Sequence, residues 1–104
     1  MEQQQRRRHP RKIAAWPAWV RFHRSARFLK GRTRDVSRCG AYIVLPLEED
    51  LPDGASVECR LGVRRQRGGG YVIQAVNGDA RVVRSVPGAE GGLAVEFQKE
   101  MDVD

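Results

Sequence analysis

Apolar residues recur at every second position in short segments along the chain. The clearest segment is 57–63, where apolar side chains alternate with charged residues or glycine. Shorter segments of the same kind lie at 19–24 and 93–97. Because successive side chains of a strand point to opposite faces, this period predicts half-buried β-strands.

Four other segments have the composition of strands, and they are 26–34, 40–45, 71–75 and 80–86. The first is rich in charge and is expected at a sheet edge. We expect a mobile hairpin loop at 64–70, which contains three consecutive glycines, and a turn at Asn77-Gly78-Asp79. Turn signals recur along the chain and no segment has a sustained helical period, so the sequence predicts an all-β fold, a small antiparallel barrel or sandwich.

The length of 104 residues is that of one domain. Residues 1–12 are polar and rich in arginine, and we interpret them as a flexible arm. The barrel is expected over 13–100, followed by a tail at 101–104. The residues after the last predicted strand are too few for a substantial terminal helix.

The charge is concentrated in the first third of the chain. Residues 1–34 contain eleven basic residues and one acidic residue, a charge of +10, whereas 35–104 contain eight basic and twelve acidic residues, a charge of −4. Sixteen of the nineteen basic residues are arginine, whose planar guanidinium makes paired hydrogen bonds to phosphate and guanine. The asymmetry indicates an anionic partner, or else a solvated basic tail without a specific partner.

Several classes of function find little support. Two isolated cysteines, Cys39 and Cys59, and two histidines, His9 and His23, do not have the spacing of a metal site. No catalytic arrangement of side chains is recognisable, so an enzyme is not expected. No apolar run has the length of a membrane span or the form of a secretory leader, which predicts a cytoplasmic protein without membrane insertion.

Two short motifs stand out from this background. The first is Arg6-Arg7-Arg8-His9-Pro10-Arg11, which contains RRxxR and RxxxR; in a chain this rich in arginine, a chance RRxxR has a probability of about 0.3. The second is Asp35-Val36-Ser37-Arg38-Cys39-Gly40, which fits DxSxxG and has a chance probability of about 0.02. The second motif is therefore the more specific one, and it leads directly into the apolar run at 40–45.

With these two motifs in this order, the chain resembles the PilZ domain family. The segment Gly91-Gly92-Leu93-Ala94-Val95-Glu96-Phe97 is similar to the last barrel strand of the family, and the resemblance covers about residues 6–98. It implies a six-stranded antiparallel β-barrel with a flexible N-terminal arm. Many members continue into a C-terminal helix, of which we expect little or none here.

The resemblance implies cyclic di-GMP as the ligand, with no cofactor or metal. Arg7 and Arg11 are expected to hold it from two sides, and Arg8 to add a contact, because arginine can bind guanine O6 and N7 or a phosphate. Arg6 precedes RxxxR, and an arginine there is similar to members that bind an intercalated pair of ligands. In isolation, the same arginines would be interpreted as a solvated tail.

The strand motif supplies the other half of the expected site. Asp35 can accept hydrogen bonds from the donor edge of guanine, Ser37 can bind a phosphate or a base edge, and Gly40 permits close approach of the ligand to the backbone. Arg38 and Arg81 are further candidates. The alternative is structural: Asp35 and Ser37 would close a turn, and Gly40 would serve a bulge.

We therefore expect a non-enzymatic cyclic di-GMP receptor or adaptor that acts on a partner protein in bacterial motility, biofilm formation or related signalling. The main alternative is a basic barrel that binds RNA or single-stranded nucleic acid through phosphate contacts, although the predicted strands carry few aromatic residues for base stacking. A third possibility is an adaptor that binds proteins and no nucleotide, against which the two complete motifs count.

Overall fold

The computed structural model describes residues 10–22 and 27–104. Strands are the only regular elements in these residues, which confirms the predicted all-β class. The strands are β1 (Lys12–Ile13), β2 (Pro17–Phe22), β3 (Leu29–Val36), β4 (Gly40–Val44), β5 (Ser56–Arg67), β6 (Gly70–Val86) and β7 (Gly92–Phe97).

The strands form a closed antiparallel barrel. Their order is β1-β3-β2-β5-β6-β7-β4, and an additional pairing of β3 with β4 closes the sheet. The predicted six-stranded barrel is thus confirmed, with β1 as a short extra strand beside the end of β3. The expected edge position of the segment 26–34 was wrong, because β3 is paired on both sides with β2 and β4. Its charged residues lie at the exposed positions of an interior strand.

The barrel interior contains the alternating apolar residues that defined the strands. Side chains of β2 to β7 alternate between the interior and the outside over most of the barrel, so the core draws on all six strands. Its fully buried large side chains are Val20, Val36, Ile43, Leu45, Leu61, Val63, Val82, Leu93, Val95 and Val103. The polar exception on β3 is Thr33, which is 2% exposed.

A β-bulge interrupts the alternation of β3. The register pairs Thr33 with Ile43 and Asp35 with Tyr42, so Arg34 is an extra residue without a partner on β4. As a result Thr33 and Val36 are both buried, whereas the two residues between them face the outside.

The hairpin predicted at 64–70 is present with a much shorter loop than expected, and the predicted turn at 77–79 was wrong. β5 and β6 continue through most of the first segment to a two-residue turn at Gly68–Gly69, where Gly68 has a φ of 55°. β6 also runs without interruption past Gly78, which pairs with Cys59. Gly78 serves packing here, because a β-carbon would lie 2.7 Å from the Met101 methyl group.

The C-terminal segment 98–104 has no regular structure and packs against the barrel. Met101 and Val103 are buried in the core. The Met101 amide donates to the Arg38 carbonyl at 2.8 Å, and the Arg65 guanidinium donates to the Asp102 carbonyl at 2.7 Å. In the part of the chain described, no helix is long and apolar enough to span a membrane.

Candidate ligand-binding site

The end of the N-terminal arm lies beside the start of the DxSxxG motif. The pairing of β1 with β3 places Lys12 opposite Val36 and Ile13 opposite Asp35. The Ala14 amide extends the contact by donating to the Arg34 carbonyl at 3.3 Å. The residues directly after the arginine motif are thus joined by backbone pairing to the DxSxxG motif, more than twenty residues further along the chain.

Arg11 and Asp35 form an ion pair at this junction. The Arg11 Nη1 donates to Asp35 Oδ1, and the Nε of Arg34 donates to Asp35 Oδ2 at 3.3 Å. The Arg11 and Asp35 side chains are 27% and 19% exposed, so the pair is partly shielded from water. The Arg11 Nε is buried and has no hydrogen-bond partner among residues 10–22 and 27–104, which leaves one donor of this guanidinium unused within these ranges.

Ser37 and Gly40 lie in the tight connection between β3 and β4. The Ser37 amide donates to the Gly40 carbonyl at 2.8 Å, and the buried Ser37 hydroxyl accepts from the Cys39 amide at 3.3 Å. A β-carbon at Gly40 would lie 2.6 Å from the Val95 carbonyl oxygen. The Ser37 contacts are those of its structural alternative, a turn that presents Asp35. Gly40 does not form the bulge of its alternative, because it pairs regularly with Glu96. Both stay predictions as ligand residues.

The two further arginine candidates have different surroundings. The Arg38 Nε donates to Asp104 Oδ2 at 2.7 Å, and this hydrogen bond and charge raise the pKa of the Arg38 guanidinium above its ordinary value. Arg81 lies 3.4 Å from Glu96, which is in register with Gly40. Arg81 therefore belongs to the outer face next to Gly40, whereas Arg38 is engaged by the C-terminal segment. The predicted ligand residues Arg6, Arg7 and Arg8 lie outside the described residues and stay predictions.

An aromatic residue that sequence reasoning missed lies beside Asp35. Tyr42 is opposite Asp35 on β4, and the same row continues through Ala94 on β7 to Arg84 on β6. The guanidinium carbon of Arg34 lies 4.0 Å from the centroid of the Tyr42 ring, and that of Arg84 lies 6.0 Å from it. Both distances are those of cation–π contacts.

This outer face of β3, β4, β7 and β6 combines positive charge with an aromatic surface. Guanidinium groups can bind phosphate or the acceptor edge of guanine, and they stack on purine rings. A carboxylate between them can accept from the donor edge of guanine. No cluster of three or more metal-binding side chains occurs in the described ranges 10–22 and 27–104. These groups can offer donors to an anion, an acceptor to the donor edge of a purine and a surface for stacking.

Comparison with known families identifies the domain. The sequence matches the PilZ domain over residues 5–104. The chain belongs to the PilZ domain family. A search of curated proteins finds no significant match.

Solved structures of other PilZ-type proteins have the same fold. The Bacillus subtilis inhibitor of motility MotI/DgrA is similar with a TM-score of 0.73 and 16% identity over 96% of this chain, which spans only 46% of that protein. The PilZ domain of CeSA from a cellulose-synthesizing bacterium has a TM-score of 0.61 and 21% identity over 84% of this chain and 79% of its own. The PilZ domain of Escherichia coli YcgR, solved with c-di-GMP, has a TM-score of 0.56 and 20% identity over 90% of this chain and 79% of its own.

Proposed function

We propose that this PilZ domain is a non-enzymatic receptor for cyclic di-GMP. The observation that carries the proposal is the Arg11–Asp35 ion pair, which holds the end of the arginine motif against the first residue of the DxSxxG motif. A ligand with two guanines and two phosphates offers partners for both groups. The structure of YcgR with c-di-GMP shows that another PilZ domain takes this ligand.

The ion pair suggests how the site would accept the nucleotide. In the pair, Asp35 receives hydrogen bonds from Arg11 and Arg34. A guanine whose N1–H and N2–H₂ donate to Asp35 would take over part of this role, and the released guanidinium donors would turn to guanine O6 and N7 or to a phosphate. The exchange replaces one charge-assisted interaction by another, so the paired groups remain satisfied in both states.

The remaining residues fall into contact and framework roles. Arg7 and Arg8 would close over the ligand from the arm, and Arg34, Tyr42 and Arg84 would offer a stacking surface. Arg81 lies on β6 and would contact the ligand only if the ligand extends across Gly40 toward that strand. Ser37 would act through the geometry of its turn. An arginine at position 6 favours an intercalated pair of ligands, and Arg38 would contribute once released from Asp104.

Calorimetric titration with cyclic di-GMP tests the proposal. We expect binding by the unaltered domain and at least a tenfold weaker affinity for Arg7→Ala and for Asp35→Ala, because each removes a charge-assisted contact worth about 1.5–3 kcal/mol. Arg67→Ala is the matched control: it removes one guanidinium from the exposed end of β5 and should leave the affinity unchanged. Absence of binding by the unaltered domain, together with salt-sensitive binding of single-stranded RNA, would refute the proposal in favour of a nucleic-acid-binding barrel.

We further infer that the receptor acts in the cytoplasm as an adaptor whose arm responds to the ligand. Contacts from Arg7 and Arg11 to bound nucleotide would hold the arm on the barrel and change the surface offered to a downstream protein. Amide hydrogen exchange of residues 6–12 should therefore slow when cyclic di-GMP is added. Equal exchange with and without a saturating ligand would contradict this mechanism.

A further inference from the structure

The β5–β6 hairpin is longer than the strands beside it. The pairing of β2 with β5 ends at Leu61, and the pairing of β7 with β6 covers only Ala80 to Val86. Within the described part of the chain, the ladder from Arg67–Gly70 to Gly62–Ala75 therefore joins these two strands alone. Both strands consequently present an open edge near the hairpin turn.

The two open edges differ in composition. The end of β5 carries Arg64, Arg65 and Arg67, and charged residues on an edge oppose pairing with another strand. The segment 70–76 of β6 contains no charge, no proline and no bulge. Three of its consecutive side chains are large, apolar and exposed, with Tyr71 66%, Val72 44% and Ile73 60% accessible. In the described residues, this edge lacks the charges, prolines and bulges by which many soluble proteins prevent strand addition.

The turn determines which backbone groups face the open edge. Gly68 at a φ of 55° begins a two-residue turn, so Arg67 and Gly70 form the closing hydrogen-bonded pair. Hydrogen-bonded and non-hydrogen-bonded pairs alternate along an antiparallel ladder. Tyr71, Ile73 and Ala75 therefore direct their amides and carbonyls away from β5.

We propose that a second copy of this chain pairs with this edge through the same segment, 70–76, in antiparallel orientation. The segment itself is uncharged, so the two paired strands place no like charges opposite each other. Pairing about Ile73 places this residue opposite itself, and Tyr71 opposite Ala75 of the second copy, a large side chain against a small one. In a twofold arrangement, the β6 edge of each copy is paired with that of the other and no β6 edge stays open. The assembly therefore closes at a dimer.

The extent of the proposed interface is limited on the barrel side. The Gln98 amide donates to the Asp79 carbonyl at 2.9 Å, and Met101 packs against Gly78, so the C-terminal segment already covers β6 beyond residue 77. The dimer would thus form one continuous sheet across the two hairpins, with the ligand-binding faces outside the contact. The proposal is independent of cyclic di-GMP.

Sedimentation velocity from about 1 µM to about 1 mM tests this proposal. We expect a concentration-dependent dimer whose dissociation constant rises at least tenfold in Ile73→Lys, which charges the edge, and in Ala75→Pro, which removes an amide that points to it. Val83→Lys is the matched control, because Val83 is an exposed residue of β6 beside β7. Its dissociation constant should equal that of the unaltered chain, and melting temperatures verify that each variant is folded.

Hydrogen exchange identifies the contact itself. The amides of Tyr71, Ile73 and Ala75 should exchange more slowly as the concentration rises, whereas those of Val72 and Gln74, already bonded to β5, should not change. A monomer at the highest concentration would overturn the proposal. So would a dimer that both edge variants leave intact, or one without protection at these three amides.

Discussion

The buried hydroxyl of Thr33 should contribute strongly to stability, and Thr33→Val tests this contribution. The Thr33 Oγ1 accepts from the Trp16 amide at 2.9 Å and donates to the Ala14 carbonyl, while its side chain faces the core. These two bonds hold the connection between β1 and β2 against β3. The connection in turn carries Arg11 to Asp35, so the same hydroxyl supports the candidate site.

The expected loss of unfolding free energy follows from the two backbone groups that Thr33→Val would leave without a partner. Valine has nearly the shape of threonine, so packing is retained while the Trp16 amide and the Ala14 carbonyl lose their partner. An unsatisfied buried polar group costs about 1–3 kcal/mol. Because Trp16 is slightly exposed and a water molecule can replace part of the loss, we expect Thr33→Val to lower the free energy of unfolding by about 2–4 kcal/mol.

Thr33→Ser is the matched comparison, because it keeps the hydroxyl and removes only a methyl group, at a cost of about 1 kcal/mol. Urea unfolding followed by tryptophan fluorescence measures both variants, with an unchanged dependence on denaturant as the check that the unfolding transition is comparable. If Thr33→Val is no less stable than Thr33→Ser, the two hydrogen bonds contribute nothing and the reasoning is refuted.

Three further predictions concern a buried thiol, a close strand contact and the ion pair. Burial raises the pKa of the Cys59 thiol to about 12. An unfolded thiol titrates near pH 8.5, so the folded state retains a proton that the unfolded chain releases; stability should be complete below about pH 8.5 and fall above it by up to about 1.4 kcal/mol per pH unit. Cys59→Ala should remove this loss, and an unaltered alkaline slope in the variant would contradict the assignment. Gly40→Ala places a β-carbon 2.6 Å from the Val95 carbonyl and should reduce the free energy of unfolding by about 1–3 kcal/mol, whereas an unchanged denaturation midpoint would argue against the close contact. In a double-mutant cycle without ligand, Arg11→Ala and Asp35→Ala should show a coupling of about 1 kcal/mol, reduced by solvent screening, and strictly additive effects would exclude the pair in solution.

The sequence pattern predicted most of the barrel and misassigned its most extended element. Segments with strict alternation, such as 57–63, became strands because one face of each is buried against the core. The errors at 64–70 and at Gly78 arose where glycine and arginine are interpreted as loop residues. In the structure, Gly78 leaves room for Met101, a contact between distant parts of the chain that no local pattern contains.

Of the candidate site, the sequence predicted the position of a motif but not the contacts that strand pairing creates. The DxSxxG motif located Asp35 between two predicted strands, and the structure places it near the end of the first, β3. Its contact with Arg11 depends on the pairing of β1 with β3. Whether Ser37 contacts a ligand or closes a turn could not be decided from its spacing, because both roles use the same hydroxyl. Tyr42 and Arg84 could not be found from the sequence, since their proximity follows from the register of four strands.

The bulge at Arg34 decides which way the carboxylate of Asp35 faces. If the same residues paired with β4 without a bulge, the alternation that turns Thr33 inward would carry Asp35 into the barrel interior and turn Val36 out to water. Removal of Arg34 would instead leave Asp35 directly after Thr33, and a regular ladder would then keep Asp35 outside and Val36 inside. A related chain can therefore hold the carboxylate outside in two ways: with one extra residue and a bulge, or with neither.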